Sequence, residues 1–131
     1  MSDNESNQRH AGARLIVVED NFPVANSLNF LLQAAGCDVV GMAGNVAKAL
    51  DLVATIPFDL ALLDINLRGE HASPIAEAVI RRGKPVIFLT GYGEADMLSP
   101  HLRALPRLDK PVDPGALIAL IDRELEVTSE E

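Results

Sequence analysis

Cysteine is almost missing from this sequence: Cys37 stands alone among 131 residues. A single thiol excludes a disulfide framework and a cysteine-ligated metal site, and it points to a reducing compartment with Cys37 as a small buried hydrophobe. Clusters of lysine and arginine are missing too, and the net charge is -8. Binding to nucleic acid draws much of its free energy from cations set against phosphates, so this balance argues against a nucleic-acid surface. No apolar run approaches membrane-spanning length, and the opening residues lack the apolar stretch of a signal peptide. The expectation is a cytoplasmic protein with no membrane attachment.

What is present is 48% apolar, enough for one core and too short for a second domain. Residues 1–13 are polar and have little to bury, so they read as a disordered N-terminal tail, with 14–127 as the folded domain and 128–131 as a fraying C-terminal tail. Short aliphatic runs alternate with helical patterns. Arg14 to Val18 is a strand ending in Glu19-Asp20, and Asn21 and Pro23 open a helix with Val24, Leu28, Leu31 and Leu32 on one face, stopped by Gly36. Asp38 to Ala43 is a weaker strand. Asn45 starts a helix bearing Val46, Ala49, Leu50 and Val53, and Pro57 closes it. The central strand runs from Phe58 into Asp64, followed by a polar loop from Asn66 to His71 and a helix capped by Ser73 with Pro74 at its first position. Pro85 to Thr90 is the fourth strand. Glycine and proline punctuate 91–106, which carries short helical patterns only and is expected to be the most mobile backbone; Arg107 to Asp109 is a fifth strand, and Asp113-Pro114 opens the last helix with Leu117, Leu120, Ile121 and Leu125 inward.

Strands alternating with crossover helices predict an α/β fold: a doubly wound, five-stranded parallel sheet of (βα)5 type, with flavodoxin-like order 2-1-3-4-5. Ligands bind such sheets beyond the carboxyl ends of the strands, at the point between strands 1 and 3 where the winding reverses. Glu19, Asp20 and Asp64 fall there. Gathered carboxylates repel and need a cation, which Lys110 or a hard divalent ion would supply; oxygen-only ligands without His or Cys suit Mg2+. Asp64, strand-held and central, is the candidate nucleophile toward phosphorus, with Glu19 and Asp20 on the metal. Lys110, the Thr90 hydroxyl and nearby loop N–H groups would neutralise the remaining phosphoryl oxygens. Taken singly, each is an ordinary loop residue: an acidic helix cap, a strand-end threonine, a surface lysine. Their order, each at the carboxyl end of a separate strand, is what solvated loops do not explain.

With Glu19-Asp20, Asp64, Thr90 and Lys110 in this order, the chain from 14 to 127 resembles the receiver domains of two-component response regulators. The resemblance implies that Asp64 is the phosphoacceptor and that Glu19 and Asp20 bind Mg2+ with Asp64 and the backbone carbonyl of Asn66. It also implies that Thr90 is the switch hydroxyl, Lys110 the phosphate-binding lysine, and Lys110-Pro111 a cis peptide. The run Pro85-Val86-Ile87-Phe88-Leu89-Thr90-Gly91-Tyr92 is similar to the signature of FAT GUY receivers, with Val86 and Leu89 as departures. Those are typically stand-alone bacterial receivers, paired with HWE-type sensor histidine kinases and often serving stress signalling.

Most receivers carry an aromatic three residues before the lysine, whereas here that position is Arg107. The usual ring rotation is absent, so the switch, with Thr90, Gly91, Tyr92, Arg107 and Pro111 around it, is expected to work through ordering of 91–106. Tyr92 either shields the acyl phosphate from water or simply packs beside the loop. The reading is a single-domain response regulator that accepts phosphoryl from a histidine kinase, hydrolyses it slowly without being a conventional enzyme, and signals to an unknown downstream protein or acts as a phosphate sink or relay. The last helix offers a face for a weak homodimer. Two alternatives stand beside it: a pseudo-receiver that binds partners without phosphorylation, and a small flavin-binding protein, disfavoured because Glu19-Asp20 occupies the place of a phosphate-cradling loop.

Overall fold

The computed structural model describes residues 8–91 and 93–129. Five parallel strands form its central sheet: β1 (Arg14–Val18), β2 (Asp38–Ala43), β3 (Leu60–Asp64), β4 (Val86–Thr90) and β5 (Arg107–Asp109), in the order β2-β1-β3-β4-β5. The helices between them are α1 (Phe22–Ala34), α2 (Val46–Thr55), α3 (Ser73–Arg81), the single turn α4 (Pro100–Arg103) and α5 (Pro114–Ser129). The order expected from the alternation of strands and helices is the order observed.

Every residue of β3 and β4 is buried, because each strand is covered on both faces. Side chains alternate across the sheet, which splits the aliphatic runs between two cores. Ile16, Val18, Ala61, Leu63 and Phe88 pack with Ala49 and Val53 of α2 and Ile75 and Val79 of α3. Leu15, Val17, Leu60, Leu62 and Ile87 pack with Leu28 and Leu32 of α1 and Leu117 and Ile121 of α5. Cys37 is buried in this second core, and burial, with the Asp122 charge adding to it, pushes its thiol up to about 11.

The helix starts follow local chemistry. Asn21 Oδ1 accepts from Val24 N–H, Asn45 Oδ1 from Lys48 N–H and Asp113 Oδ2 from Ala116 N–H, each satisfying a donor that the first helical turn leaves unpaired. Gly36 ends the turn after α1 at φ 98°, where a side chain would be strained.

Several expectations are corrected. The polar loop from Asn66 to His71 is a two-stranded antiparallel hairpin, Asn66–Leu67 against Glu70–His71. Arg68 and Gly69, at φ 54° and 89°, make the turn of positive φ that a two-residue hairpin needs. Ser73 does not cap α3: Ala72 is the cap, and its methyl group offers no acceptor to the first turn, while its own N–H donates to Ile65 O at 3.1 Å and its side chain is buried. Val24 lies outside the buried stripe of α1, whose inward residues are Ala25, Leu28 and Leu32. Helical patterns in the sequence at Ala95 to Leu98 and Leu102 to Leu105 predict two turns between 91 and 106; among the described residues they lie one and two residues earlier, at Glu94–Met97, of 3-10 type, and at α4, which Pro100 opens.

The ends also differ from free tails. From residue 8 the chain packs on the domain: His10 N–H and Nδ1 lie 2.8 and 2.7 Å from Asp122 Oδ1 on α5, Gly12 N–H donates to Gly36 O, and Ala13 is buried. Helix α5 continues through Ser129. Among the described residues no helix is long and apolar enough to cross a membrane.

Candidate functional site at the carboxyl edge of the sheet

Strand register sets the site. Val18 pairs with Leu63, Asp64 with Leu89 and Thr90 with Asp109, so Glu19, Asp64, Thr90 and Lys110 emerge at one rim. Two backbone bonds extend the ladder there, from Glu19 N–H to Ala43 O at 3.0 Å and from Lys110 N–H to Thr90 O at 2.9 Å. Each side chain is therefore carried by a strand end, which holds it more firmly than a free loop would.

Glu19, Asp64 and Thr90 are 4%, 3% and 4% exposed, the buried polar side chains of the described chain. Lys110 Nζ lies 3.1 Å from both Glu19 Oε1 and Asp64 Oδ2, bridging the two carboxylates. Burial works against the Lys110 ammonium, but its bonds to Asp64 and Glu19 outweigh that and hold its pKa above the ordinary lysine value. Burial pushes the Glu19 carboxyl up to about 7, with the Asp64 charge adding to the rise and the Asn21 N–H and Lys110 opposing it. One cation is thus not enough to make Glu19 comfortable as an anion.

Asp20 completes the acidic group: oxygens of Glu19, Asp20 and Asp64 all lie within 4.8 Å of one another. Asp64 Oδ1 is buried with no hydrogen-bond partner among the described residues. An anionic oxygen left so costs roughly 1–3 kcal/mol or more, and a cation or an electrophile arriving there removes the cost. Three hard oxygen donors, an orphaned Oδ1 and a raised Glu19 fit a divalent cation such as Mg2+, which takes few protein carboxylates and keeps waters. No His or Cys lies in this group.

Around this centre, the Asn66 side chain is used inside the hairpin, with Oδ1 accepting from Gly69 N–H at 2.9 Å. The Thr90 hydroxyl donates to Gly91 O at 3.0 Å, and Gly91 N–H donates to Glu94 Oε1 at 2.8 Å. The Lys110–Pro111 peptide is cis. Arg107 does not reach the carboxylates; its Nη1 donates to Arg103 O at 2.6 Å and closes the end of α4. Tyr92 lies outside the described residues.

Three contacts at or beside the site had no place in the reading of the sequence. Arg68 reaches Asp20, with Nε 3.4 Å from Oδ2. Glu94 occupies the N–H of Gly91, and Glu70 Oε1 accepts from Val46 N–H at 3.2 Å, tying the hairpin to the start of α2. The only local signal for the first was Arg68-Gly69 between Leu67 and Glu70, a turn-like pair. His101 pairs with Glu77 of α3 at 2.8 Å, and Arg82 donates to Val53 O while its guanidinium lies 5.8 Å from the Phe58 ring centre.

The comparisons with known proteins agree with this architecture. Residues 15–122 match the family model of the response regulator receiver domain. Sporulation initiation phosphotransferase F of Bacillus subtilis is 34% identical over 76% of this chain and 83% of its own length. The solution structure of SdrG from Sphingomonas melonis is 35% identical with a TM-score of 0.73, covering 85% of this chain and 95% of that one. The PhyR stress response regulator is 25% identical with a TM-score of 0.80 over 98% of this chain, which spans 50% of PhyR. By its match over most of its length, its sheet order and its relatives, this chain belongs to the response regulator receiver domain family, whose members are phosphorylated by histidine kinases, generally bind Mg2+ at an acidic pocket and act by contacting other proteins.

Proposed function

We propose that this receiver takes a phosphoryl group from the phosphohistidine of a sensor histidine kinase onto Asp64. The observation that carries the proposal is the orphaned, buried Oδ1 of Asp64, with Oδ2 of the same carboxylate held by Lys110. A carboxylate pinned through one oxygen presents the other with its orientation already fixed, which removes part of the entropy cost of attack. As an Asp64 oxygen bonds to phosphorus, the phosphorus–nitrogen bond of the donor breaks and its electron pair returns to the imidazole. Glu19, Asp20, Asp64 and the Asn66 carbonyl would hold the metal. When bound, Mg2+ supplies charge neutralisation for the phosphoryl oxygens. Lys110 can follow the new charge because its ammonium already faces Asp64, and Thr90 supplies a hydroxyl whose bond to Gly91 O is local and easily exchanged.

The signal is assigned to 91–106. Its described residues, 91 and 93–106, carry two short turns, held by Glu94 on Gly91 N–H, His101 on Glu77, and Arg107 on Arg103 O, with Leu98 and Leu102 buried beneath. Arg107 stands where a rotating aromatic would be, and Gly91, Thr90 and Pro111 border the same edge, so local reordering of the segment is the available output. Hydrogen exchange across 93–106 that is equal with and without a phosphoryl mimic would count against it. Likeness to the PhyR stress response regulator supports a role in stress signalling, and the Pro85 to Tyr92 run supports pairing with an HWE-type kinase. The output is contact with a downstream protein, or relay or drainage of phosphoryl, followed by slow self-hydrolysis.

The test is intact mass after incubation with acetyl phosphate and Mg2+. A gain of one phosphoryl group in the wild type, absent in Asp64→Asn and absent with EDTA, is expected. A gain that persists in Asp64→Asn would reassign the acceptor. No gain from acetyl phosphate or from a phosphorylated HWE-type kinase would leave a pseudo-receiver, which binds partners unmodified.

A further inference from the structure

We propose that Arg68 is a positioning residue for metal uptake: it holds Asp20 while the site is free of metal, and Mg2+ must displace it, so Arg68 lowers the affinity for Mg2+. The inference rests on the reading above that the carboxylates hold that ion.

Among the described residues, Arg68 is the one non-glycine residue at positive φ, 54°. Only a few per cent of non-glycine residues adopt that conformation, and the turn position that demands it is usually filled by Asn, Asp or Gly. A long cationic side chain has no advantage for the turn itself, so its presence calls for a role of the side chain. The backbone beneath it is well anchored. Asn66 Oδ1 accepts from Gly69 N–H, Glu70 Oε1 accepts from Val46 N–H, Ala72 N–H donates to Ile65 O, and Leu67 is buried. The hairpin therefore projects Arg68 from a fixed point.

Its guanidinium reaches one carboxylate of the three. Nε lies 3.4 Å from Asp20 Oδ2 and Nη2 lies 3.5 Å from the Asp20 carbonyl oxygen, while the side chain remains 79% exposed. Lys110 serves Glu19 and Asp64. Between them the two cations divide the acidic cluster, and Asp20 is the share that Arg68 takes. A carboxylate paired with a guanidinium is less available to a second cation, because the arriving ion meets a positive charge already seated beside Asp20 Oδ2 and the two repel. Because the arginine is exposed, it can swing into solvent at small cost once displaced.

The test is calorimetric titration of the full chain with MgCl2 at low ionic strength, comparing wild type with Arg68→Asn and Arg68→Lys. Asparagine tolerates positive φ and keeps the turn while removing the charge; lysine keeps the charge. Arg68→Asn is expected to bind Mg2+ about two- to fivefold more tightly, the range that an exposed ion pair supports. Arg68→Lys should stay near wild type, and the gap should shrink in about 0.5 M salt as the exposed charges are screened. Equal or weaker binding by Arg68→Asn, with metal taken up by both proteins, would overturn the role of Arg68 alone. Absence of uptake by all three proteins would overturn the metal reading, and the Arg68 proposal with it.

Discussion

Lys110→Met, studied without metal, tests the electrostatics of the site most directly. The substitution keeps much of the side-chain volume and removes the ammonium that bridges Glu19 and Asp64 at 3.1 Å each. At the effective dielectric of a protein edge, one such contact is worth about 4 kcal/mol of attraction, much of it offset by desolvation. Breaking a buried pair costs roughly 3–5 kcal/mol, because the remaining charge is left unpaired. Lys110 is 29% exposed, and water reaching the site screens part of this. The expected loss at pH 8 is therefore about 2–3 kcal/mol, or a fall of about 10 °C in Tm for a domain of this size. Glu19 sets the pH dependence. Its folded value, about 7, lies above its ordinary one, so its contribution to stability is present at low pH and lost as the pH rises through that value. Removing Lys110 moves the folded value higher still. The gap between wild type and Lys110→Met should then be smaller at pH 6 than at pH 8, and saturating Mg2+ should narrow it at pH 8. Thermal unfolding followed by circular dichroism measures all three. A variant as stable as wild type at pH 8, or a gap that is widest at pH 6, would refute the reasoning.

Two further perturbations probe other parts of the fold. At the amino end of the sheet, Asp59 accepts from Arg14 N–H at 2.7 Å and from its guanidinium at 3.0 and 3.2 Å. Burial raises the Asp59 pKa, but these bonds outweigh it and hold the carboxyl below its ordinary value of 3.8, so the stabilisation is present above that value and lost as the pH falls through the lowered one. Asp59→Ala should cost about 1–2 kcal/mol in urea unfolding at pH 7, discounted for partial exposure, and the difference from wild type should close on acidification below that window. Glu94→Ala frees Gly91 N–H and should speed hydrogen exchange at Gly91 and through Glu94–Met97 by about fivefold or more, with α5 unchanged; unaltered exchange there would remove Glu94 as a tether of the segment.

The aliphatic runs ending in Glu19-Asp20, Asp64, Thr90 and Lys110 were legible because strand burial and strand ends are written in local pattern: a run buried on both faces has to stop where the chain turns polar. From the alternation of those runs with helices came the sheet order, and from the sheet order came the shared rim, so the acidic group could be named from the chain alone. Caps at Asn21, Asn45 and Asp113 were legible for the same reason, since a cap acts within three residues of itself. What stayed hidden depends on approach between segments distant in sequence. Nothing near Arg68 indicates Asp20, which lies 48 residues earlier, and nothing near His10 indicates Asp122, 112 residues later. The hairpin of Asn66–Leu67 and Glu70–His71 is too short to show a period, and Ala72 is set at the start of α3 by its backbone bond to Ile65, which no side chain announces. The sequence by itself determined which residues sit at the carboxyl edge, since period and strand length are local properties. Only the tertiary structure decided how the charges there are shared, with Lys110 on Glu19 and Asp64, Arg68 on Asp20, and one oxygen of Asp64 left open, because ion pairing depends on distances that the packed sheet and its loops set.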